Sequence, residues 1–380
     1  MKFWSNLFKR KARLENEQQQ QKQLEEKQNE GIESNYQKLV RVFEGVTKDD
    51  YADLLIERQY LRGIYEFARD VEDANIIVKL QDAIIKSGDA NYIYRFAKDV
   101  KNADIEKLQD AVIEAGDPQL ICEFAKNIEG ANIDRLQKAL IEQSSKCYAK
   151  DGDQIFIPRF ANEVKGIDLE KFQEDVIKMC PIPTIYYFAK YVDGADIAKI
   201  EDAIINCESY EDSVICTFYL AKEVKGANIE KLQDAIIKKG NMEYICKFAK
   251  EVKGADINKL QDVVIESGSA FTICAFAIDV KGADIKKLQD IIIKTGDAHC
   301  IYGFARDVKG ADIKKLQNEI IKIGDAKYIC WFASDIKGAN VNKLYDAVVA
   351  TGDKKYIKKF NELLDKKETK IDNNGTTGDV

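Results

Sequence analysis

Apolar residues return along most of this chain at one long, fixed interval, and the Phe-Ala step shows it most directly. The step falls at Phe67, Phe96, Phe124, Phe160, Phe188, Phe248, Phe276, Phe304 and Phe332, with Leu220-Ala221 in the one missing place and Phe360-Asn361 closing the series. From Leu220 onward the interval is always 28 residues, whereas the earlier ones are 29, 28, 36, 28 and 32. Insertions of one, eight and four residues therefore interrupt a strict period. The ten residues VKGADIKKLQ are written identically from Val280 to Gln289 and from Val308 to Gln317. Self-similarity at such a period marks stacked supersecondary units, none of which can bury its apolar face alone.

Each unit can be numbered from its Gly, as in Gly240 to Ser267. Positions 6, 9, 10 and 13 are then Ile245, Phe248, Ala249 and Val252, the i, i+3, i+4, i+7 stripe of an amphipathic helix. Position 2 offers a helix N-cap: Asp89, Asp117, Asp153, Ser213, Asn241, Ser269, Asp297, Asp325 and Asp353. Gly254 and its counterparts are expected to stop that helix. Two residues on, a second cap column runs Asp104, Asn132, Asp168, Asp196, Asn228, Asp256, Asp284, Asp312, Asn340 and opens a second helix carrying Ile257, Leu260, Val264 and Ile265. The pattern predicts hairpins of two helices of roughly ten to twelve residues, too short to be stable singly in water. The expected fold class is all-α: a right-angled or superhelical α-solenoid of about ten two-helix repeats plus terminal caps.

The consensus F-A-K-[DE]-V-K-G-A-[DN]-I-x-K-L-Q-D across residues 59–360 resembles the short helical-hairpin arrays of uncharacterised bacterial proteins, and more distantly HEAT and tetratricopeptide arrays. The resemblance implies the general role of such arrays, binding other macromolecules, and transfers no particular partner. Along the chain we expect an amphipathic basic segment at 1–13, a Gln/Glu-rich helical or disordered linker at 14–35 and cap helices at 36–58. The repeats occupy 59–351, a C-terminal half-repeat cap 352–366 and a disordered tail 367–380.

Composition narrows the function classes. Nine cysteines, odd in number and scattered, form no disulfide framework, and no secretory signal precedes them, so a reducing, cytoplasmic setting is expected. No apolar run approaches the ~18 residues a membrane span needs. A net charge of −7 argues against a general nucleic-acid binder. Position 20 holds a basic column, among them Lys231, Lys259, Lys287 and Lys315, that could be read as a phosphate ladder. An acidic column three residues on, Asp234, Asp262 and Asp290 included, is expected to neutralise it within each helix.

Nothing in the sequence nominates a catalytic, cofactor-binding or metal-ligating residue. His299 is the only histidine and has no evident partner. Cys122, Cys246, Cys274 and Cys330 share position 7 and interchange with tyrosines, as packing residues do. Partner information is expected instead at columns that vary from unit to unit. Position 8 runs Glu66, Arg95, Glu123, Arg159, Tyr187, Tyr219, Lys247, Ala275, Gly303, Trp331, Lys359, and position 4 includes Phe271 and His299. The centre of the chain, with its insertions at 144–151 and 208–211, three of the four prolines and many aromatics, departs furthest from the pattern. Tyr187, Tyr219, Trp331, Tyr191 and Phe271 are the candidate contacts to a protein partner. The alternative is a membrane-surface adaptor recruited by Phe3, Trp4, Leu7, Phe8, Lys9, Arg10 and Lys11, apolar and basic residues suited to an anionic inner-membrane surface.

Overall fold

The computed structural model describes residues 45–146 and 155–374. The 1–13 segment with its seven candidate residues, the 14–35 linker, residues 36–44 of the expected cap, the cap Asp153 and residues 375–380 lie outside the described residues. Those described form 22 helices and no strand, and the helices pack with their neighbours in sequence as in an α-solenoid. The chain divides between Pro181 and Ile182 into two compact units. In the second, each first helix of a repeat packs on its own second helix and on the first helix of the next repeat.

Local chemistry sets the boundaries. In the repeat from Gly240, the first helix is Met242–Glu251, and its N-cap Asn241 accepts the Tyr244 backbone N–H. The second, Ile257–Glu266, is capped by Asp256, which accepts the N–H of Lys259. Every second-helix cap predicted from sequence accepts a first-turn N–H in this way. The stripe residues Ile245, Phe248, Ala249 and Val252 are all buried, as are Leu260 and Val264, whereas Ile257 and Ile265 are half-buried.

Gly254 does not stop the first helix. Val252, already extended at φ −91° and ψ 121°, ends it by turning its side chain into the core. Gly254 is the third residue of the turn that follows, at φ +89°, where the Ala255 N–H donates to the Val252 carbonyl at 3.4 Å. Asn102 occupies the same place in its repeat at φ +61°, and Asn is among the few non-glycine types enriched in that region.

The irregular centre also differs from expectation. Of the inserted residues 208–211, Glu208 and Ser209 stay in the short connection, and the first helix starts early at Tyr210 and runs to Glu223, four residues or about one turn longer than its counterparts, which leaves its buried face unrotated. Ser209 becomes the cap, and Ser213, which the register had placed there, is buried and donates to the Ile204 carbonyl at 2.5 Å. Pro158 delays its helix, which starts only at Phe156 and holds the ring in the first turn, where no N–H is needed. At the far end the last helix runs Lys354–Asn374, past position 366.

One joint was invisible in the sequence. The Gln that follows the buried Leu of the second helix is itself buried, and its side-chain carbonyl reaches into the next repeat to accept the backbone N–H of the second cap. Gln233 accepts from Asp256 at 2.8 Å, Gln261 from Asp284 at 2.7 Å, Gln289 from Asp312 at 2.7 Å and Gln317 from Asn340 at 2.6 Å. Gln81 and Gln109 do the same in the first unit. Glu201 takes the Gln place once, accepting from Asn228 at 2.6 Å while its other oxygen lies 3.3 Å from Lys231 Nζ.

Candidate protein-binding face

All five candidate contact residues fall in the second unit, on the first helices of their repeats. Stacking decides how far each projects. Position 7 of one repeat lies against positions 5 and 8 of the next, as the rings of Tyr302, Tyr328 and Trp331 show, with centroids 5.3–6.0 Å apart. Position 8 is accordingly half-buried at most places, and only Tyr219, Trp331 and Lys359 in it are exposed. The expectation of a freely projecting column is corrected to that extent: the neighbouring repeat covers one flank.

Tyr187, Tyr191 and Tyr219 come together. Tyr187 and Tyr191, one turn apart on Ile182–Tyr191, stack at 5.9 Å with planes 8° apart. Tyr186 joins them to Tyr219 on the next first helix, at 5.2 Å from Tyr187 and 6.1 Å from Tyr219. Phe218 and Tyr244 extend the group by 5.2 and 5.6 Å contacts. Beneath the rings is a charged anchor: Tyr186 donates its hydroxyl to Glu223 at 2.8 Å, and Lys190 pairs with the same carboxylate at 2.6 Å. Burial would raise the Glu223 carboxyl, but the hydrogen bonds from Lys190 and Tyr186 together hold it below its ordinary value. Burial, and then the Glu223 carboxylate, push the Tyr186 phenol well above its own. The cluster is thus fixed from below and open above, where Tyr191 and Tyr219 are 38% and 37% exposed.

Trp331 belongs to a second group. It meets Tyr302 and Tyr328, His299 stands 5.7 Å from Tyr328, and Lys327 Nζ lies 4.5 Å from the Trp331 ring. Phe271 joins neither and is 83% exposed. Of these groups the sequence nominates Tyr187, Tyr191, Tyr219 and Trp331 as contacts, and it does not nominate Tyr186, Phe218, Tyr244, Tyr302 and Tyr328, which organise them. Their signal was present as a tyrosine or phenylalanine at position 7 followed by an aromatic at position 5 or 8 of the next repeat.

The charged columns form ladders between repeats, not within helices. Lys231 reaches Asp202 at 2.9 Å, and Lys259, Lys287 and Lys315 reach Asp234, Asp262 and Asp290 at 2.5 Å each, always one repeat back. The expected i, i+3 pairing loses because the stack sets position 20 directly beside position 23 of the preceding unit. A second ladder follows the first helices, from Lys190 to Glu223, Lys222 to Glu251 and Lys250 to Asp279 at 2.6, 2.6 and 3.2 Å. Lys231, Lys259, Lys287 and Lys315 of the basic column are thus each engaged by a carboxylate of the preceding repeat.

The thiols are built for packing. Burial pushes Cys122, Cys180, Cys216 and Cys274 up to about 12 and Cys330 to about 11. Cys122 donates to the Phe156 carbonyl and Cys330 to that of Tyr356, each in the next first helix of its unit. Among the described residues no group of three or more acidic, cysteine or histidine side chains could hold a metal, and no helix is long and apolar enough to cross a membrane. No protein-family model and no curated protein matches the chain.

Proposed function

We propose that this protein is a non-enzymatic, cytoplasmic helical-repeat scaffold that binds a protein partner through the variable face of its first helices. The observation that carries the reading is the Tyr186–Tyr187–Tyr191–Tyr219 cluster. Large rings of this kind supply most of the binding energy in protein interfaces, and rings already held in place lose little freedom on binding. The ion pair beneath them fixes the rings before a partner arrives. A structural role alone would not require Tyr191 and Tyr219 to remain open to solvent.

The test is affinity capture from native lysate with the full chain, beside a chain carrying Tyr187→Ala and Tyr219→Ala. A stoichiometric protein retained by the first and lost from the second, with equal thermal melts for both chains, supports the reading. A partner held equally by both would sink it. The 1–13 segment carries the alternative, a peripheral membrane adaptor, because Phe3, Trp4, Leu7 and Phe8 are flanked by Lys2 on one side and by Lys9, Arg10 and Lys11 on the other. Sedimentation with anionic liposomes, with and without residues 1–13, tests that reading separately.

A further inference from the structure

Two glycines among the described residues lie inside helices, and the fold explains one of them. A Cβ at Gly63 would come 2.4 Å from the Tyr60 ring, so close packing there requires glycine. A Cβ at Gly303 would meet nothing within 4 Å. Gly303 is the sixth residue of Ala298–Asp307, where glycine weakens the helix relative to almost any other residue. The fold gains nothing from the empty space above it.

That space is not isolated. Position 8 runs Lys247, Ala275, Gly303, Trp331 through four successive repeats, so two adjacent steps are nearly bare between a lysine and a tryptophan. One wall is the Trp331, Tyr302 and Tyr328 group. On the other side Phe271, Ala275 and Ile278 lie at i, i+4 and i+7 of Ala270–Asp279, with Phe271 83% and Ile278 49% exposed. Ile278 stands where Lys190, Lys222, Lys250 and Arg306 stand in other repeats. The first-helix ladder therefore gives way to an apolar residue at this place alone in the second unit.

The charges along the rim say what could cover it. Its carboxylates are taken: Glu243 by Lys247, Asp279 by Lys250, Asp307 by Arg306 and Asp335 by the Tyr302 hydroxyl. Lys327 has no ion pair among the described residues, its ammonium resting on the faces of Tyr328 and Trp331 at 4.8 and 4.5 Å. The face thus offers bare helix, exposed apolar side chains and, in Lys327, a cation held over aromatic rings with no ion pair among the described residues. A face built of helices has no unpaired backbone row to hydrogen-bond an extended strand, whereas a helix brings its own bonds already made.

We propose that the Ala275–Gly303 depression is a docking groove for an amphipathic helix of a partner protein, which seats a bulky apolar side chain over Gly303 and an acidic residue against Lys327. This deepens the binding-face proposal above and rests on it. The chain has two tryptophans, so Trp4→Phe in the full-length protein leaves Trp331 as the reporter in the groove wall. The probes are two synthetic amphipathic helices of roughly 18 residues with the same leucine and phenylalanine stripe, one flanked by glutamates and the other by lysines. The acidic peptide should shift Trp331 emission to the blue and saturate, with the basic one about tenfold weaker or worse.

Gly303→Leu fills the depression and should weaken the acidic peptide by about tenfold or more, while Tm stays level or rises because leucine is the better helix former. Three results overturn the groove: no saturable shift with the acidic peptide, equal binding of the two peptides, or a titration unchanged by Gly303→Leu. A blue shift that grows with protein concentration in the absence of peptide overturns it too, in favour of self-association. If the groove fails while capture of a partner still depends on Tyr187 and Tyr219, only this inference falls. If neither set of substitutions alters any binding, the recognition face itself is wrong.

Discussion

Replacing Gln289 by Met separates the hydrogen bond between repeats from everything else the side chain does. Gln289 is buried and accepts the Asp312 backbone N–H at 2.7 Å. Met has nearly the same length and volume, so no cavity forms and packing loss stays small. What remains is one lost hydrogen bond, whose net worth is about 1 kcal/mol, plus the cost of leaving the donor poorly solvated, together about 1–3 kcal/mol. In a repeat array that loss falls on a single interface between neighbours. Hydrogen exchange read by mass spectrometry on peptides covering Asp312 should therefore quicken by roughly 5- to 150-fold. Peptides two repeats away should change far less, and the urea midpoint should fall. If the Asp312 amide exchanges at the wild-type rate and the midpoint does not move, the glutamine column is filler and the account of the joint given above is wrong.

Other outcomes can be stated more briefly. Thr217 is fully buried with its hydroxyl unpartnered, at a position that is Ile185 and Ile245 in the flanking repeats; Thr217→Val should stabilise the chain by about 1 kcal/mol in urea denaturation. Lys287→Ala removes one rung of an exposed ladder and should cost only about 0.2–1 kcal/mol, a difference that shrinks in high salt. Because the Glu223 carboxyl titrates below its ordinary value, its contribution is complete above the unfolded carboxylate pKa and is lost as pH falls through the folded one; Glu223→Gln should flatten the acid limb of the stability profile below about pH 4.5. The Cys216 thiol, raised by burial to about 12, favours the fold fully below its unfolded value near 9 and loses that contribution as pH climbs towards 12. At neutral pH it should stay unmodified by iodoacetamide in the native chain and react once urea unfolds it.

The architecture could be read from the sequence because its determinants are local. Phe248, Ile245 and Val252 are spaced for a helix, and Asp256 caps the next one three residues from the N–H it accepts. The joints between repeats could not be read in the same way, because their partners are distant. Gln261 meets a backbone group 23 residues on, and Lys287 meets a carboxylate 25 residues back. On sequence alone the first is a polar residue on an apolar face, and the second has a nearer acid to choose. At the site, sequence variation pointed to Tyr187, Tyr219 and Trp331 but said nothing of Tyr186 or Tyr302, which belong to a framework column. Ser213 shows the opposite error: strict counting placed it at a cap, whereas the added turn carried it into the core.

The joints have a genetic consequence. The glutamine joints and the second-helix lysine ladder each link one fixed position to another in an adjacent repeat, with the same partner types from Gln233 to Asn340, so a whole repeat there can be removed or copied without orphaning them. Excising Gly268 to Thr295 would bring Gln261 to the Asp312 amide, Lys315 to Asp262 and Lys250 to Asp307, all residue pairings of a kind already present in the chain. Unequal recombination at this locus would thus yield folded proteins that differ in length by multiples of 28 residues. Selection could then act on reach and on the order of recognition surfaces, with the fold carried along unchanged.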